Sequence, residues 1–316
     1  MTGGAGFIGS NMCEHLLGDN EVVAIDNFQN VDDRHIKPLL RSKNFSFSQL
    51  DITDLDKLET LKSSGPFDAV IHLAANSDVK GGSIDTSTDL KVNVVGTYNV
   101  LELARKMDIN EIMFASSSTV AGEASVMPTP EDYGPSMPIS TYGASKLAGE
   151  GFITAYSHYY GIRGSIFRFA NIVGRNSTHG VIFDFIMKLR KNPKVMEILG
   201  DGTQRKSYLH VDDCVQGIIF LHEVSSHTDI FNLGNTETTS VMDIAKFVVE
   251  GLGLQNVRFE LTHGEGGRGW KGDVKLAQLS TEKALKAGWK SSLTSDDSVR
   301  KAVREVIPQL TDLKNS

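Results

Sequence analysis

Tyr142 and Lys146 stand four residues apart in the run Ser140-Thr141-Tyr142-Gly143-Ala144-Ser145-Lys146. On a helix that spacing puts both side chains on one face. A cation beside a phenol favours the phenolate and lowers a pKa that otherwise sits near ~10. A tyrosine that ionises near neutral pH is a general base for an alcohol. Taken alone, such a pair occurs often by chance and usually marks an ordinary amphipathic helix, so its meaning depends on what surrounds it.

Upstream, the chain begins Met1-Thr2-Gly3-Gly4-Ala5-Gly6-Phe7-Ile8-Gly9-Ser10. Glycines at 3, 6 and 9 permit a tight turn, close backbone approach to a pyrophosphate, and close packing of a following helix over 10–17. The start of such a helix aims its amides and dipole at phosphate. A strand over 21–25 ends in Asp26, an acid placed to bind a ribose diol and repel a 2′-phosphate, which predicts NAD over NADP. The competing reading is a glycine-rich surface turn with an incidental acid. Further on, an apolar strand over 112–115 runs into Ser116-Ser117-Ser118-Thr119. Ligands of open parallel sheets bind beyond the carboxyl ends of strands, so these hydroxyls face a cofactor unless they merely cap the strand.

The elements needed to position these groups are legible in outline. Short apolar runs at 22–25, 69–73, 112–115 and 165–169 read as buried parallel strands, with helical stretches over 54–63, 90–106 and 142–160 between them. That βα succession predicts an α/β fold, a doubly wound Rossmann parallel sheet over 1–170 with a return segment over 211–233. A smaller, mixed α/β substrate domain is expected over 171–210 and 234–316, with helices over 181–190 and 241–252; a further helix is expected over 211–223. The proline-rich 127–138 reads as a loop near the site, and 264–269 as either a plain loop or a lid. A glycine loop ordinarily follows a short apolar strand, yet almost nothing precedes Thr2. The expectation is a chain that starts further upstream, or a weakened sheet.

Composition bounds the rest. Lys plus Arg total 32 against 39 Asp plus Glu, a net charge of −7 over 316 residues, which argues against a nucleic-acid footprint. The two cysteines, Cys13 and Cys214, fit no metal or redox spacing and suit a reducing cytosol. No apolar run approaches the ~18 residues of a membrane helix and no leader opens the chain, so a soluble cytoplasmic protein is expected. The nine histidines show no metal-binding spacing, and no metal is expected.

The glycine loop, the serine cluster and Tyr142-x-x-x-Lys146 occur with Asp26-Asn27, Asp51-Ile52, His72-Leu73-Ala74-Ala75, Asn93-Val94-Val95-Gly96-Thr97, Arg168-Phe169-Ala170-Asn171 and the run from Gly200 to Tyr208. In this order they resemble the extended short-chain dehydrogenase/reductase family, its NAD-dependent nucleotide-sugar epimerases and dehydratases, over nearly the whole chain. The segments 179–186 and 268–273 are most similar to archaeal-type UDP-glucose 4-epimerases.

The resemblance implies NAD as cofactor, contacted by Gly3, Gly6, Phe7, Ile8 and Gly9. It adds Asp26, Asn27, Asp51 and Ile52, then Leu73, Ala74, Ala75 and Asn93, and finally Ala115, Tyr142, Lys146 and Phe169. It implies a UDP-sugar substrate held by Ser117, Ser118, Asn171, Val181, Lys206, Tyr208 and Arg268. Catalysis falls to Ser117, Tyr142 and Lys146. Tyr142 removes the proton of the sugar 4-hydroxyl while C4 gives up hydride, and Ser117, five residues before Gly122, bonds the same oxygen. The 4-keto sugar then turns over and regains hydride on its other face. A homodimer is implied, packed through the helices over 90–106 and 142–160, with Val94, Val100, Leu101 and Ile153 as its apolar residues.

Three positions depart from the family pattern: Ala121 in place of a usual Tyr, Lys206 in place of an Arg with bidentate geometry, and Trp270 in place of an Arg, with Arg268 two residues upstream. The resemblance, through Gly272-Asp273, places Ala277 where the family limits room around the sugar's C2 substituent; the small side chain predicts that N-acetylhexosamines also enter, unless the backbone around Trp270 closes the space. A 4,6-dehydratase needs an acid and a base directly after the catalytic hydroxyl, where Ser118 and Thr119 stand. A simple alcohol dehydrogenase would release NADH at each turnover, and a non-catalytic NAD-binding regulator commonly lacks the Tyr or the Lys.

Overall fold

Strands buried on both faces carry near-continuous apolar runs, and that pattern builds the main sheet in a computed structural model of the chain. It describes residues 1–79, 81–267, 269 and 274–312. β1 (Val22–Asp26) pairs in parallel with β2 (Phe45–Gln49). β3 (Val70–His72), β4 (Glu111–Ser117) and β5 (Arg163–Phe169) pair in parallel in that order, and Asp229–Leu233 lies beyond β5. Every residue of β4 and β5 after the first is buried.

Between β1 and β3 stands Thr2, bridged to Ile25 on one side and His72 on the other. Its N–H donates to Ile71 O at 3.0 Å, Leu73 N–H donates to Thr2 O at 3.2 Å, and Ile25 N–H donates to Met1 O at 2.9 Å. Met1 and Thr2 thus take the central place in a sheet ordered β2, β1, Thr2, β3, β4, β5, then Asp229–Leu233. The strand order reverses at this junction, the place where doubly wound sheets bind ligands.

The helices differ from expectation in detail. α1 (Phe7–Leu16) begins inside the glycine loop. The stretch over 54–63 splits into a single α-helical segment, α2 (Leu55–Leu58), and a 3₁₀ helix, Glu59–Ser64, because Ser63-Ser64-Gly65-Pro66 is poor in helix formers. α3 (Thr86–Asp89) runs through a π-helical turn, Leu90–Val95, into α4 (Gly96–Lys106). α5 (Thr141–Tyr160) is capped by Ser140, whose hydroxyl accepts from Gly143 N–H at 3.0 Å, and ends at Gly161 in the left-handed region. A Cβ at Gly149 would lie 2.5 Å from the Phe114 ring, so the glycine lets α5 settle directly on β4.

The chain separates into two units. The first comprises Met1–Glu123, Glu131–Phe169 and Ile218–Phe231, and the second Ala124–Pro130, Ala170–Gly217 and Asn232–Ser316. The first unit's core gathers Ile25, Leu101, Ile112, Phe114, Ile153 and Ile166. Val100, Leu101 and Ile153 are at most 1% exposed, so they serve this core and not a subunit interface, a correction to the sequence reading. The second unit packs the helices Val181–Lys191, Val241–Gly251 and Ser295–Asp312 around Val195–Ile198, which pairs in parallel with Arg258–Leu261. Ala124–Pro130 belongs to it through a bridge from Thr129 to Leu279. Among the described residues no helix is long and apolar enough to cross a membrane.

Candidate active site

The glycine loop is fixed by close approaches. Gly3 sits at φ +71°, and a Cβ there would lie 2.6 Å from Ala74 N; one at Gly9 would lie 1.9 Å from Gly3 O. These two glycines serve the turn and the packing of α1. Gly6 differs: a Cβ there would meet only Gly3 O, at 3.2 Å. It caps α1 without a side-chain bond to the helix amides, which leaves the N-terminal end suited to a phosphate. Phe7 and Ile8 follow on the first turn. The chain therefore fits a dinucleotide at this loop.

Asp26, at the end of β1, accepts from Ala5 N–H at 3.2 Å and Phe28 N–H at 3.0 Å. Burial pushes its carboxyl above the ordinary value, against the downward pull of those backbone bonds. Asn27 donates to Asp51 at 2.9 Å. Burial works upward on Asp51, but bonds from Asn27 and Thr53 outweigh it and hold the carboxyl below its ordinary value. The Ile52 carbonyl accepts from Asn99 at 2.9 Å, and Gly96 fits against the Ile52 side chain. The segment from Leu73 to Ala75 leaves β3 beside Thr2, whose hydroxyl accepts from Ala74 N–H at 3.2 Å. Asn93 is buried on the π-helical turn; it accepts from Asn76 N–H at 2.8 Å and donates to Ser145 Oγ at 2.9 Å.

The structure brings Ser117, Tyr142 and Lys146 together at the carboxyl end of β4. Ser117 lies near enough to the Tyr142 hydroxyl to draw the phenol's pKa downward, and its Oγ accepts from Thr119 Oγ1 at 3.0 Å. Lys146 Nζ donates to Ala115 O at 2.8 Å and lies 5.1 Å from the Phe114 ring centre and 5.8 Å from that of Tyr142. Ser118 opens the next turn, and Phe169 lies beside Ser117 in register.

Burial dominates the electrostatics of the pair. Burial pushes the Tyr142 phenol up to about 12, although the Ser117 bond pulls downward. Burial likewise pulls Lys146 down to about 8. At Tyr142 burial is the largest influence, and the nearby Asp89 charge adds to it.

Several supporting residues escaped the sequence reading. Glu150 lies one turn beyond Lys146 on α5. It accepts from Ser116 Oγ at 2.5 Å and from Arg168 at 2.9 and 2.8 Å, with both charged side chains almost wholly buried. The spacing 142, 146, 150 is the signal that could have revealed it. His72 joins Thr2 Oγ1 at 2.7 Å to Thr97 Oγ1 at 3.0 Å, and burial pulls it down to about 3.

In the second unit, Asn171 pairs in register with Tyr208, and its amide donates to Ser207 O at 3.2 Å. Lys206 pairs in register with Ala277 and Thr239. Val181 opens its helix half-buried against the unit's core. The Tyr208 side chain is 6% exposed, within that core. Arg268 and Trp270 lie outside the described residues.

A doubly wound sheet, a glycine loop before its first helix and a Ser–Tyr–Lys set at a strand end define an NAD-dependent dehydrogenase/reductase type of protein. The model of the NAD dependent epimerase/dehydratase family matches residues 1–234, and the chain belongs to that family. NAD is its cofactor. The chain is 32% identical over 309 residues to a putative UDP-glucose 4-epimerase of Methanocaldococcus jannaschii, with 96% of each covered. It is similar to a crystal structure of UDP-galactose 4-epimerase at TM-score 0.86 and 38% identity, over 98% of both chains. It is also similar to Thermus thermophilus UDP-glucose 4-epimerase in complex with NAD, at TM-score 0.84 and 27% identity over 96% of this chain and 97% of the other.

Proposed function

We propose that this chain is a 4-epimerase of a UDP-hexose, interconverting UDP-glucose and UDP-galactose through a transient 4-keto sugar. The observation that carries the reading is Tyr142 with Lys146 on one face of α5, tied to the end of β4 where Ser117 stands, followed by Ser118 and Thr119 with no carboxylate. Bound NAD supplies the hydride acceptor and donor and a positive charge beside the phenol. Tyr142 takes the proton of the sugar 4-hydroxyl and returns it, and Ser117 bridges the same oxygen. Lys146 adds a cation on the same helix face. Eliminating water from C5 and C6 needs an acid and a base that Ser118 and Thr119 do not offer, which disfavours a 4,6-dehydratase.

On this reading the first unit binds NAD, with the glycine loop at the pyrophosphate and Asp26 at the ribose. Asn171, Lys206 and Arg268 hold the nucleotide end of the substrate. Ala277, beside Lys206, leaves space for an N-acetyl group. Incubation with UDP-glucose, UDP-N-acetylglucosamine and dTDP-glucose, followed by anion-exchange separation, tests the assignment. A 4-epimer without net NADH is expected from a UDP-sugar. A 4-keto-6-deoxy product, or stoichiometric NADH from a free alcohol, would overturn it.

The same reading makes the protein a cytoplasmic homodimer, in keeping with two buried free cysteines. α4 and α5 expose Tyr98 and Phe152, whose rings lie 6.3 Å apart, and Tyr159 further along α5. Such a patch suits a second copy of the chain. Light scattering should give a dimer, and a combined Tyr98→Lys, Phe152→Lys protein a monomer. A monomeric natural protein at micromolar concentration would refute the pairing.

A further inference from the structure

Asp89 is a carboxylate sealed within the first unit at 1% exposure, and no role assigned above uses it. Its Oδ2 accepts from Thr141 Oγ1 at 2.6 Å and its Oδ1 from Asn76 Nδ2 at 2.8 Å, with Asn93 Nδ2 at 3.4 Å from Oδ1. All three donors are neutral. A buried carboxylate held only by neutral groups is costly unless another charge compensates it.

The placement of these bonds is specific. Asp89 and Asn93 are four residues apart where α3 passes into the π-helical turn, and both reach α5. Asp89 bonds Thr141, the residue before Tyr142. Asn93 bonds Ser145, the residue before Lys146, at 2.9 Å, and Ser145 Oγ in turn donates to Tyr142 O at 2.7 Å. One helix face therefore grips the residue preceding each reactive side chain. A π-turn in such a place commonly marks a functional site.

We propose that Asp89 is a positioning residue for the Tyr142–Lys146 pair, fixing the first turn of α5 through Thr141 and supplying the buried counter-charge of Lys146. The proposal rests on Tyr142 being the base. The ionisable groups that feel the Asp89 charge are Tyr142 and Lys146 on α5, and Lys146 in turn acts on His72 at the end of β3. His72 is neutral across the working range, since burial pulls it to about 3. The Asp89 charge raises both other partners: it adds to burial at Tyr142 and opposes burial at Lys146.

Asp89→Asn keeps the shape and the oxygen that accepts from Asn76 and Asn93, turns the other position into a donor towards the Thr141 hydroxyl, and removes the charge. A negative charge raises the pKa of a phenol and of an ammonium alike. Its loss should therefore move both limbs of the pH–rate profile to lower pH together, whereas a purely structural residue would lower the rate at every pH. Independently of turnover, the tyrosinate absorbance lost on introducing Tyr142→Phe should titrate at lower pH in the Asp89→Asn background than in the natural protein. A folded Asp89→Asn protein with an unmoved Tyr142 midpoint, or with only one limb shifted, would overturn the proposal. So would failure of both Asp89→Asn and Asp89→Ser to fold, which would assign the charge to the fold alone. If Tyr142→Phe retains the natural rate, the base lies elsewhere, and the absorbance titration still reports whether the Asp89 charge acts on Tyr142.

Discussion

Lys146 donates to the carbonyl oxygen of Ala115 at 2.8 Å while its ammonium stays 5.8 Å from the centre of the Tyr142 ring. The lysine is thus first a tie between α5 and the end of β4, and only second an electrostatic neighbour of the phenol. Burial dominates both groups, pushing Tyr142 up to about 12 and Lys146 down to about 8. Catalysis through this tyrosine then depends on positive charge arriving beside it.

Tyr142→Phe removes one oxygen and leaves the ring. Turnover should fall by roughly 10²–10⁴-fold, the usual worth of a general acid–base group, with circular dichroism and thermal midpoint unchanged. A variant that keeps more than a tenth of the rate would show that another residue is the base.

Glu150→Gln should destabilise the first unit. The Glu150–Arg168 pair is almost wholly buried, and leaving one partner of such a pair behind costs about 3–5 kcal/mol. Urea denaturation would read this as a lower midpoint. Replacing both residues by methionine should recover most of the loss, because the orphaned charge is then gone. Equal losses in the single and double variants would mean that packing, not charge, explains the effect.

His72 links Thr2 to Thr97, and burial, followed by the nearby Lys146, holds it down to about 3 from 6.5. An unfolded chain binds a proton here that the folded chain refuses. Its contribution to stability is therefore complete above 6.5 and is lost as pH falls through the interval towards 3. Urea midpoints at about pH 7 and about pH 5 should differ more in the natural protein than in His72→Gln. The same difference in both would remove His72 as the cause.

Asp26 faces the amides of the glycine loop with a partly buried carboxylate. Calorimetry should show tighter binding of NAD than NADP, and Asp26→Ala should narrow the gap, because the acid repels a 2′-phosphate. Comparable affinities in the natural protein would assign the discrimination to other residues.

Local chemistry is what the chain displayed on its own. Glycines at 3, 6 and 9, an acid ending the second run, hydroxyls after Phe114-Ala115 and a tyrosine four residues from a lysine each need only neighbours in sequence, and all fell where turns, strand ends and one helix face require them. Apolar runs of strand length between helical stretches were equally plain, because a doubly covered parallel sheet demands them.

Three dimensions decided whatever depends on which face meets which. Val100, Leu101 and Ile153 share helices with Tyr98 and Phe152, but only packing against β4 and β5 shows which stripe is core and which is surface. Thr2 is bridged to Ile25 on one side and His72 on the other, and no propensity at Met1 and Thr2 announces that. Asp89, Glu150 and His72 read as common polar residues until burial gives their charges and hydrogen bonds weight. The pKa of Tyr142 went the same way: spacing supplied the cation, but only the depth of the pocket set desolvation against it.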